Sequence, residues 1–185
     1  MKKAIIALLV VVVLIGFYAF NIYNKMVTAN EGVDGQWAQV ETQYQRRFDL
    51  IPNLVSSVKG AMSQEEKVFG DIAEARTRYS GAASPEEKVQ AANEVESAIG
   101  RLLVIMENYP ELKSLDTVQS LMVQLEGTEN RVAVERKRYN DEVQSFNTMV
   151  KRIPAKFFAS MFGFEERTYF ASVEGSENAP TVSFE

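Results

Sequence analysis

The sequence predicts an all-α protein with an N-terminal transmembrane helix, an up-and-down antiparallel bundle of about four helices and a short irregular C-terminal tail. Three observations support this class. The 185-residue chain opens on a long uncharged apolar stretch, apolar residues then recur every three or four positions, and proline and glycine are sparse until the end. The expected boundaries are residues 1–25 for the anchor, 26–164 for the soluble bundle and 165–185 for a flexible tail.

The composition excludes several classes of chemistry. The chain has no cysteine and no histidine, which removes disulfides, thiol nucleophiles, histidine-dependent catalytic triads, and zinc or haem sites built on these residues. Its 20 basic and 25 acidic residues give a net charge of −5, which does not favour binding to the phosphates of nucleic acid. We therefore expect no metal, no cofactor, no nucleic acid and no small-molecule substrate.

The N-terminal apolar stretch has the length of one membrane span. Residues 4–24 carry no charge over 21 positions, and a helix of this length extends about 31 Å, which matches the hydrocarbon core of a bilayer. No face of residues 4–20 is polar, so a buried core helix is disfavoured. Lysines at one end and aromatic rings at the other are typical of the two membrane interfaces. The expected anchoring residues are Lys2, Lys3, Tyr18, Phe20 and Tyr23.

A cleaved signal peptide is the alternative to a retained anchor. The small residues of Val27-Thr28-Ala29 fit a cleavage site loosely, but they lie nine residues beyond Phe20. Retention is therefore favoured. Two lysines and the α-amino group precede the span and only Lys25 closely follows it, so the positive-inside rule predicts a cytoplasmic N-terminus. Beyond the anchor, 17 basic residues face 25 acidic ones, and we expect attachment through the anchor rather than through anionic head groups.

The remaining apolar residues fall into helical stripes separated by start and stop signals. A first stripe from Trp37 to Met62 contains Pro52, which predicts a kink or a junction of two helices. Ser63 and Ser84, each followed three residues later by glutamate, predict the starts of the next two helices. Gly81 and Pro110 are the predicted stops. The last long helix is predicted to run from Ser114 or Asp116 to Arg152.

A short phenylalanine-rich segment follows the last long helix. Residues 154–164 contain four phenylalanines, and we expect them to dock onto the bundle. A cap over the end of the core is the favoured interpretation, and a surface for a partner or for lipid is the alternative.

Several blocks in order along the chain carry a family resemblance. They are Trp37, Arg-Phe-Asp-Leu-Ile-Pro-Asn-Leu-Val at residues 47–55, Glu-Asn-Tyr-Pro-Glu-Leu-Lys at residues 107–113, Arg-Tyr-Asn at residues 138–140 with Phe146 and Asn147, and the closing residues 180–184. Together with the N-terminal anchor, they resemble the LemA family of bacterial membrane proteins. The resemblance implies a single-pass protein of the bacterial inner or cell membrane, with a helical bundle in the periplasm or external medium. It implies no established enzymatic activity and no catalytic residues, and some relatives are associated with magnetosome membranes.

Polar residues within these blocks are the candidate functional residues. Arg47, Asn53, Asn108, Asn140 and Asn147 flank positions on apolar stripes, where an unpaired polar group is costly. One interpretation is that they fix the register of the helices and hold the non-helical joint at Tyr109. The other is that some of them line a groove that binds a partner peptide, with Trp37 as an aromatic anchor.

One weak motif points to an enzyme. Ser56 and Lys59 have the spacing of a serine nucleophile and its lysine base in some acyl-transfer enzymes, but the companion segments of those enzymes are missing. A Ser/Lys hydrolase is therefore a remote alternative.

The sequence favours a membrane-anchored, non-enzymatic adaptor that binds protein partners. A self-associating homo-oligomeric scaffold that organises membrane is the main alternative.

Overall fold

The structure, a computed structural model, describes residues 2–62 and 64–170 and confirms the predicted all-α class. Every regular element within these residues is helical, and a single 3₁₀ turn at Met106–Asn108 separates two of the α-helices. The α-helices are α1 at Lys2–Lys59, α2 at Glu66–Gly81, α3 at Pro85–Ile105, α4 at Pro110–Lys113, α5 at Asp116–Lys151 and α6 at Ala155–Phe162.

The described residues form two compact units. Unit 1 holds the chain up to Val40 together with Glu135–Tyr169, and unit 2 holds Glu41–Val134 and Phe170. Helices α1 and α5 each contribute to both units, while α2, α3 and α4 belong to unit 2 and α6 belongs to unit 1.

Unit 2 contains the predicted bundle. Short connections join α1 to α2 and α2 to α3, so that successive helices run in opposite directions, as in other up-and-down bundles. Most of the predicted stripe on α1 faces the core, but Trp37 and Val55 are partly exposed and Leu54 is fully buried instead of Val55. Aromatic rings of α1 and α2 pack together, with ring centroids of Phe48 and Tyr79 4.6 Å apart. Burial, with a smaller contribution from the charge of Glu41, raises the pKa of Tyr79 to about 12.

Pro52 does not divide the first stripe into two helices. It lies inside α1, which continues to Lys59, so the two-helix alternative is wrong. Pro52 is exposed, so its ring is accommodated on the solvent side of the helix, although the Phe48 carbonyl loses its helical donor.

The start and stop signals predicted for the other helices lie close to the observed helix ends. Ser84 caps α3: its hydroxyl accepts a hydrogen bond from the Glu87 N–H, and the Glu87 carboxylate accepts one from the Ser84 N–H. The start signal predicted for α2 includes Ser63, which lies outside the described residues, and α2 begins at Glu66. Tyr109 leaves the helical region with φ −124° and ψ 67°, which forms the predicted joint before Pro110.

Unit 1 is a pair of long helical segments with α6 packed beside them. Met26 and Val33 of α1 are fully buried, as is Val143 of α5. Helix α6 buries its two alanines, Ala155 and Ala159, and ends at Gly163, whose left-handed φ of 76° favours glycine. The phenylalanine-rich segment therefore docks as predicted, through the buried alanines and through contacts of Phe158, Phe162 and Phe164 with other aromatic rings.

The N-terminal part of α1 is the one described segment that is long and apolar enough to cross a membrane. Only 6% of its most apolar window is buried. Because a core helix of a soluble protein would be covered by its neighbours, this exposure argues against the core-helix interpretation.

Candidate partner-binding groove

The most unusual polar group in unit 2 is the guanidinium of Arg47. Arg47 is only 5% exposed, although it lies on α1 among the apolar residues of the first stripe. Two carboxylates face it: Glu96 Oε1 of α3 lies 3.7 Å from Nη1, and Glu129 Oε2 of α5 lies 3.8 Å from Nη2. These distances allow ion pairing but exceed those of hydrogen bonds.

Two donor atoms of this guanidinium lack hydrogen bonds. Nε and Nη1 of Arg47 are buried without an acceptor, and Oε1 of Gln43, one helical turn earlier, is buried without a donor. A buried arginine is stabilised only when the N–H groups of its planar guanidinium are well paired with acceptors. The site therefore has a free energy cost that an additional acceptor would reduce.

A groove of 660 Å³ opens beside Arg47. Ile99 and Leu103 of α3 and Met122 of α5 form part of an apolar lining, and Val123 is 68% exposed. This volume lies within the usual range of ligand pockets, about 300–1,000 Å³. The full lining consists of Arg47, Ile99, Leu103, Lys113, Gln119, Met122, Val123, Leu125, Glu126 and Glu129.

The charges around the groove favour a neutral hydrogen-bond acceptor. Arg47 already faces Glu96 and Glu129, and Glu126 adds a further negative charge that Lys113 offsets. A carboxylate guest would meet repulsion from these acids, whereas a peptide carbonyl or a side-chain amide would not. With its apolar walls, the groove fits an apolar side chain of a protein segment whose neighbouring amide oxygen reaches Arg47.

A second polar cluster, in unit 1, surrounds Asn147. This side chain is 4% exposed; its Nδ2 donates to the Arg167 carbonyl at 2.9 Å, and its Oδ1 accepts from the Arg167 N–H at 2.8 Å. The Tyr139 hydroxyl donates to the Thr168 carbonyl at 3.1 Å. These bonds fasten the extended segment that follows α6 to α5.

Trp37 lies beside this cluster and is not part of the groove lining. Its ring packs edge-on against Tyr139, with centroids 5.5 Å apart, and both residues belong to unit 1. The ion pair between Arg167 and Asp34 also connects the extended segment to α1. Residues 165–170, assigned from the sequence to the tail, thus make specific contacts, and residues 171–185 lie outside the described residues.

The remaining candidate asparagines occupy less buried positions. Asn53 and Asn108 are exposed, and Tyr109 and Asn140 are partly buried. Burial therefore supports a special role for Arg47 and Asn147 but gives no such support for Asn53 or Asn108.

Sequence reasoning missed the carboxylates that face Arg47. Neither Glu96 nor Glu129 is among the candidate residues that the sequence predicts. One signal was present for Arg47 itself, since it lies three residues after Tyr44 and four before Ile51 on the buried side of α1. No comparable signal identifies its partners, because their positions depend on the relative register of three helices.

A different cleft, between α2 and α3, is polar and its charges are paired. Arg78 contacts Glu74 at 2.6 Å and Glu94 at 3.0 Å, and Arg101 contacts Asp71 at 3.3 Å. The hydrogen bond from Arg78 to Glu74, with the charge of Glu94, raises the pKa of this already basic group. Such exposed pairs contribute little specificity.

The serine and lysine of the remote hydrolase alternative lie on the surface. Ser56 and Lys59 are both exposed on α1 and do not line the groove. Their surroundings give neither side chain the desolvated pocket that activates such a nucleophile.

Comparison with known proteins supports the resemblance noted in the sequence. The LemA family model matches residues 36–184. The chain is 26% identical over 174 residues to magnetosome protein MamQ 2 and to magnetosome protein MamQ 1 of Paramagnetospirillum magneticum. It is 25% identical over 174 residues to magnetosome protein MamQ of Magnetospirillum gryphiswaldense.

Each of these alignments covers 80% of this chain and 64% of the relative, so the chain spans less than two thirds of the length of the curated relatives it matches. The family match includes both the groove residues of unit 2 and the Asn147 cluster of unit 1. The chain therefore belongs to the LemA family.

Proposed function

We propose that this protein is a non-enzymatic, single-pass membrane protein that binds a protein partner at the bacterial cell envelope through the Arg47 groove. The observation that carries the proposal is an apolar groove whose lining includes the buried guanidinium of Arg47, two of whose donor atoms make no hydrogen bond. The guest we propose is a segment that inserts an apolar side chain and a neutral amide oxygen.

Two observations on α1 support a retained membrane anchor. Its first residues are exposed, and residues later in the helix are buried in unit 1. Residues 2–18 are exposed throughout, which suits contact with lipid. Met26, however, is fully buried in unit 1, so cleavage after Ala29 would remove part of the core. This packing favours a retained anchor over a cleaved signal peptide. We further propose a cytoplasmic N-terminus, with both units in the periplasm or external medium.

Replacement of Arg47 tests partner binding, and thermal unfolding followed by circular dichroism tests stability in parallel. An Arg47→Met variant keeps an apolar stem but leaves Glu96 and Glu129 without their cation. Removal of one partner from a buried ion pair costs about 3–5 kcal/mol, and we expect a smaller loss here because the Glu129 side chain is 67% exposed. Loss of a hydrogen bond from a charged donor weakens binding by about 1.5–3 kcal/mol, which corresponds to about tenfold or more. We expect affinity recovery from detergent-solubilised membranes, with the full chain, to return a partner protein in correspondingly lower yield.

Arg46→Met is the matched control, because Arg46 is the exposed neighbour of Arg47 on the same helix. This variant is expected to recover the partner like the unaltered protein. Equal recovery by both variants would contradict the proposed role of the groove.

A self-associating scaffold that organises membrane is the second candidate. It is favoured by the magnetosome names of the similar proteins and by large apolar residues on the surface of unit 2, such as Val104 and Val123. Recovery of homo-oligomers alone, with no second protein, would support this candidate and defeat the adaptor proposal.

A further inference from the structure

We propose that α6 is a membrane-interface helix that inserts its exposed apolar ridge into the head-group layer of the bilayer. The ridge consists of Phe157 and Met161, with Phe162 beside it and Ile153 just before the helix. The inference rests on the proposed function in one respect, namely that residues 4–24 span the membrane.

Ring contacts within unit 1 fix the position of α6 along α1. Phe158 packs edge-on against Tyr18, with centroids 5.9 Å apart, and Phe162 packs against Tyr23 at 5.1 Å. A span that enters the bilayer near residue 4 reaches the opposite interface after about 20 residues. Tyr18 and Tyr23 lie in the last part of residues 4–24, so α6 is held where the acyl chains meet the head groups.

The two faces of α6 differ in size and exposure. Ala155 and Ala159 are buried, and they allow α6 to pack closely. Phe157 is 70% exposed, Met161 is 65% exposed and Ile153, just before the helix, is 77% exposed. Phe157 and Met161 are four positions apart within α6, which places both on one side of the helix. The exposed side of α6 carries large apolar side chains and its buried side carries alanines. A helix that caps a core is expected to show the reverse arrangement.

Basic residues adjoin the ridge. Lys156 and Arg152 are exposed beside Phe157 and Ile153, and long basic side chains at an interface extend their charge to the phosphate level while their stems cover apolar surface. Aromatic and apolar residues combined with lysine and arginine are the composition of helices that lie in the plane of a membrane.

Continuity with the span favours lipid over a protein as the occupant of this surface. Because α6 is attached to the residues that leave the bilayer, its ridge meets lipid without a separate association step. A soluble partner or a second copy of the chain would have to displace lipid from the same depth.

Depth-dependent fluorescence quenching tests this assignment. Trp37 is the single tryptophan, so a Trp37→Phe background permits one reporter at a time in the full chain. Phe157→Trp reports the ridge, Val12→Trp reports the middle of the span and Val123→Trp reports an exposed position in unit 2. Each protein is reconstituted into phosphatidylcholine and phosphatidylglycerol vesicles that contain lipids brominated at shallow or deep acyl carbons.

We expect the Phe157→Trp reporter to lose most of its emission with shallow bromines and to lose less with deep ones. The Val12→Trp reporter is expected to show the opposite preference, and the Val123→Trp reporter is expected to be unaffected. Met161→Trp repeats the ridge measurement if Phe157→Trp disturbs folding, which circular dichroism monitors.

The reporters in the span and in the ridge test the membrane span and the interface helix separately. Quenching of Val12→Trp without quenching of either ridge reporter overturns the interface helix and leaves the membrane span intact. An unquenched Val12→Trp reporter overturns the span itself. A ridge reporter with blue-shifted emission that bromine does not quench is covered by protein, which also contradicts the lipid assignment.

Discussion

Deletion of residues 2–17 is expected to transfer the protein from the carbonate-resistant membrane fraction to the supernatant almost completely. These residues are exposed throughout, so their removal takes away no packing from either unit. The deletion leaves residues 18–24, and seven uncharged residues cannot cross a hydrocarbon core that requires about 20. Tyr18, Ile22 and Tyr23 stay in place, which preserves their contacts in unit 1.

The matched control replaces residues 4–17 with an unrelated leucine-alanine sequence of the same length, which restores the span without the native side chains. Immunoblotting after alkaline carbonate extraction measures both variants, and the control is expected to stay with the membrane. Carbonate-resistant membrane retention of the deletion variant would contradict anchoring by this helix.

Replacement of Asn147 by leucine is expected to lower the free energy of unfolding of unit 1 by about 3 kcal/mol. The substitution removes both bonds to Arg167 and leaves a backbone N–H and a carbonyl without these partners. Leucine is similar in size to asparagine, so the loss arises from hydrogen bonding rather than from a cavity. Trp37, which packs on Tyr139 within the same unit, provides a local fluorescence signal for urea unfolding of the detergent-solubilised full chain.

Gln144→Leu is the control, because it makes a comparable amide-to-leucine change at an exposed position one turn earlier on α5. This variant is expected to unfold like the unaltered protein. If both variants shift the Trp37 transition equally, the hydrogen bonds of Asn147 do not hold the segment after α6.

The sequence was sufficient to predict most of the helices because their local signals agree with the fold. The stripe through Tyr44 and Phe48, the cap at Ser84 and the stop at Pro110 each depend on residues close in the chain. Pro52 misled the prediction in part, since the effect of a proline inside a helix depends on which side of the helix faces solvent. That side is decided by packing and not by local sequence.

The candidate sites were harder to predict because they depend on contacts between distant parts of the chain. Burial of Arg47 follows from its place on a stripe, but its pairing with Glu96 and Glu129 requires the register of α1 against α3 and α5. Similarly, the role of Asn147 depends on the extended segment at Arg167, which has no periodic pattern. The four phenylalanines of residues 154–164 favoured a buried cap, whereas alanines form the packed face of α6.

Photocrosslinking from the groove in intact membranes tests whether the groove binds a protein partner. A photoreactive amino acid in place of Met122, which lines the groove beside Arg47, reports which molecule touches that surface. We expect one crosslinked product that contains a second protein, which Arg47→Met strongly reduces and Arg46→Met leaves unchanged. Crosslinks to the same chain alone, or a product that Arg47→Met leaves at full yield, would contradict this proposal.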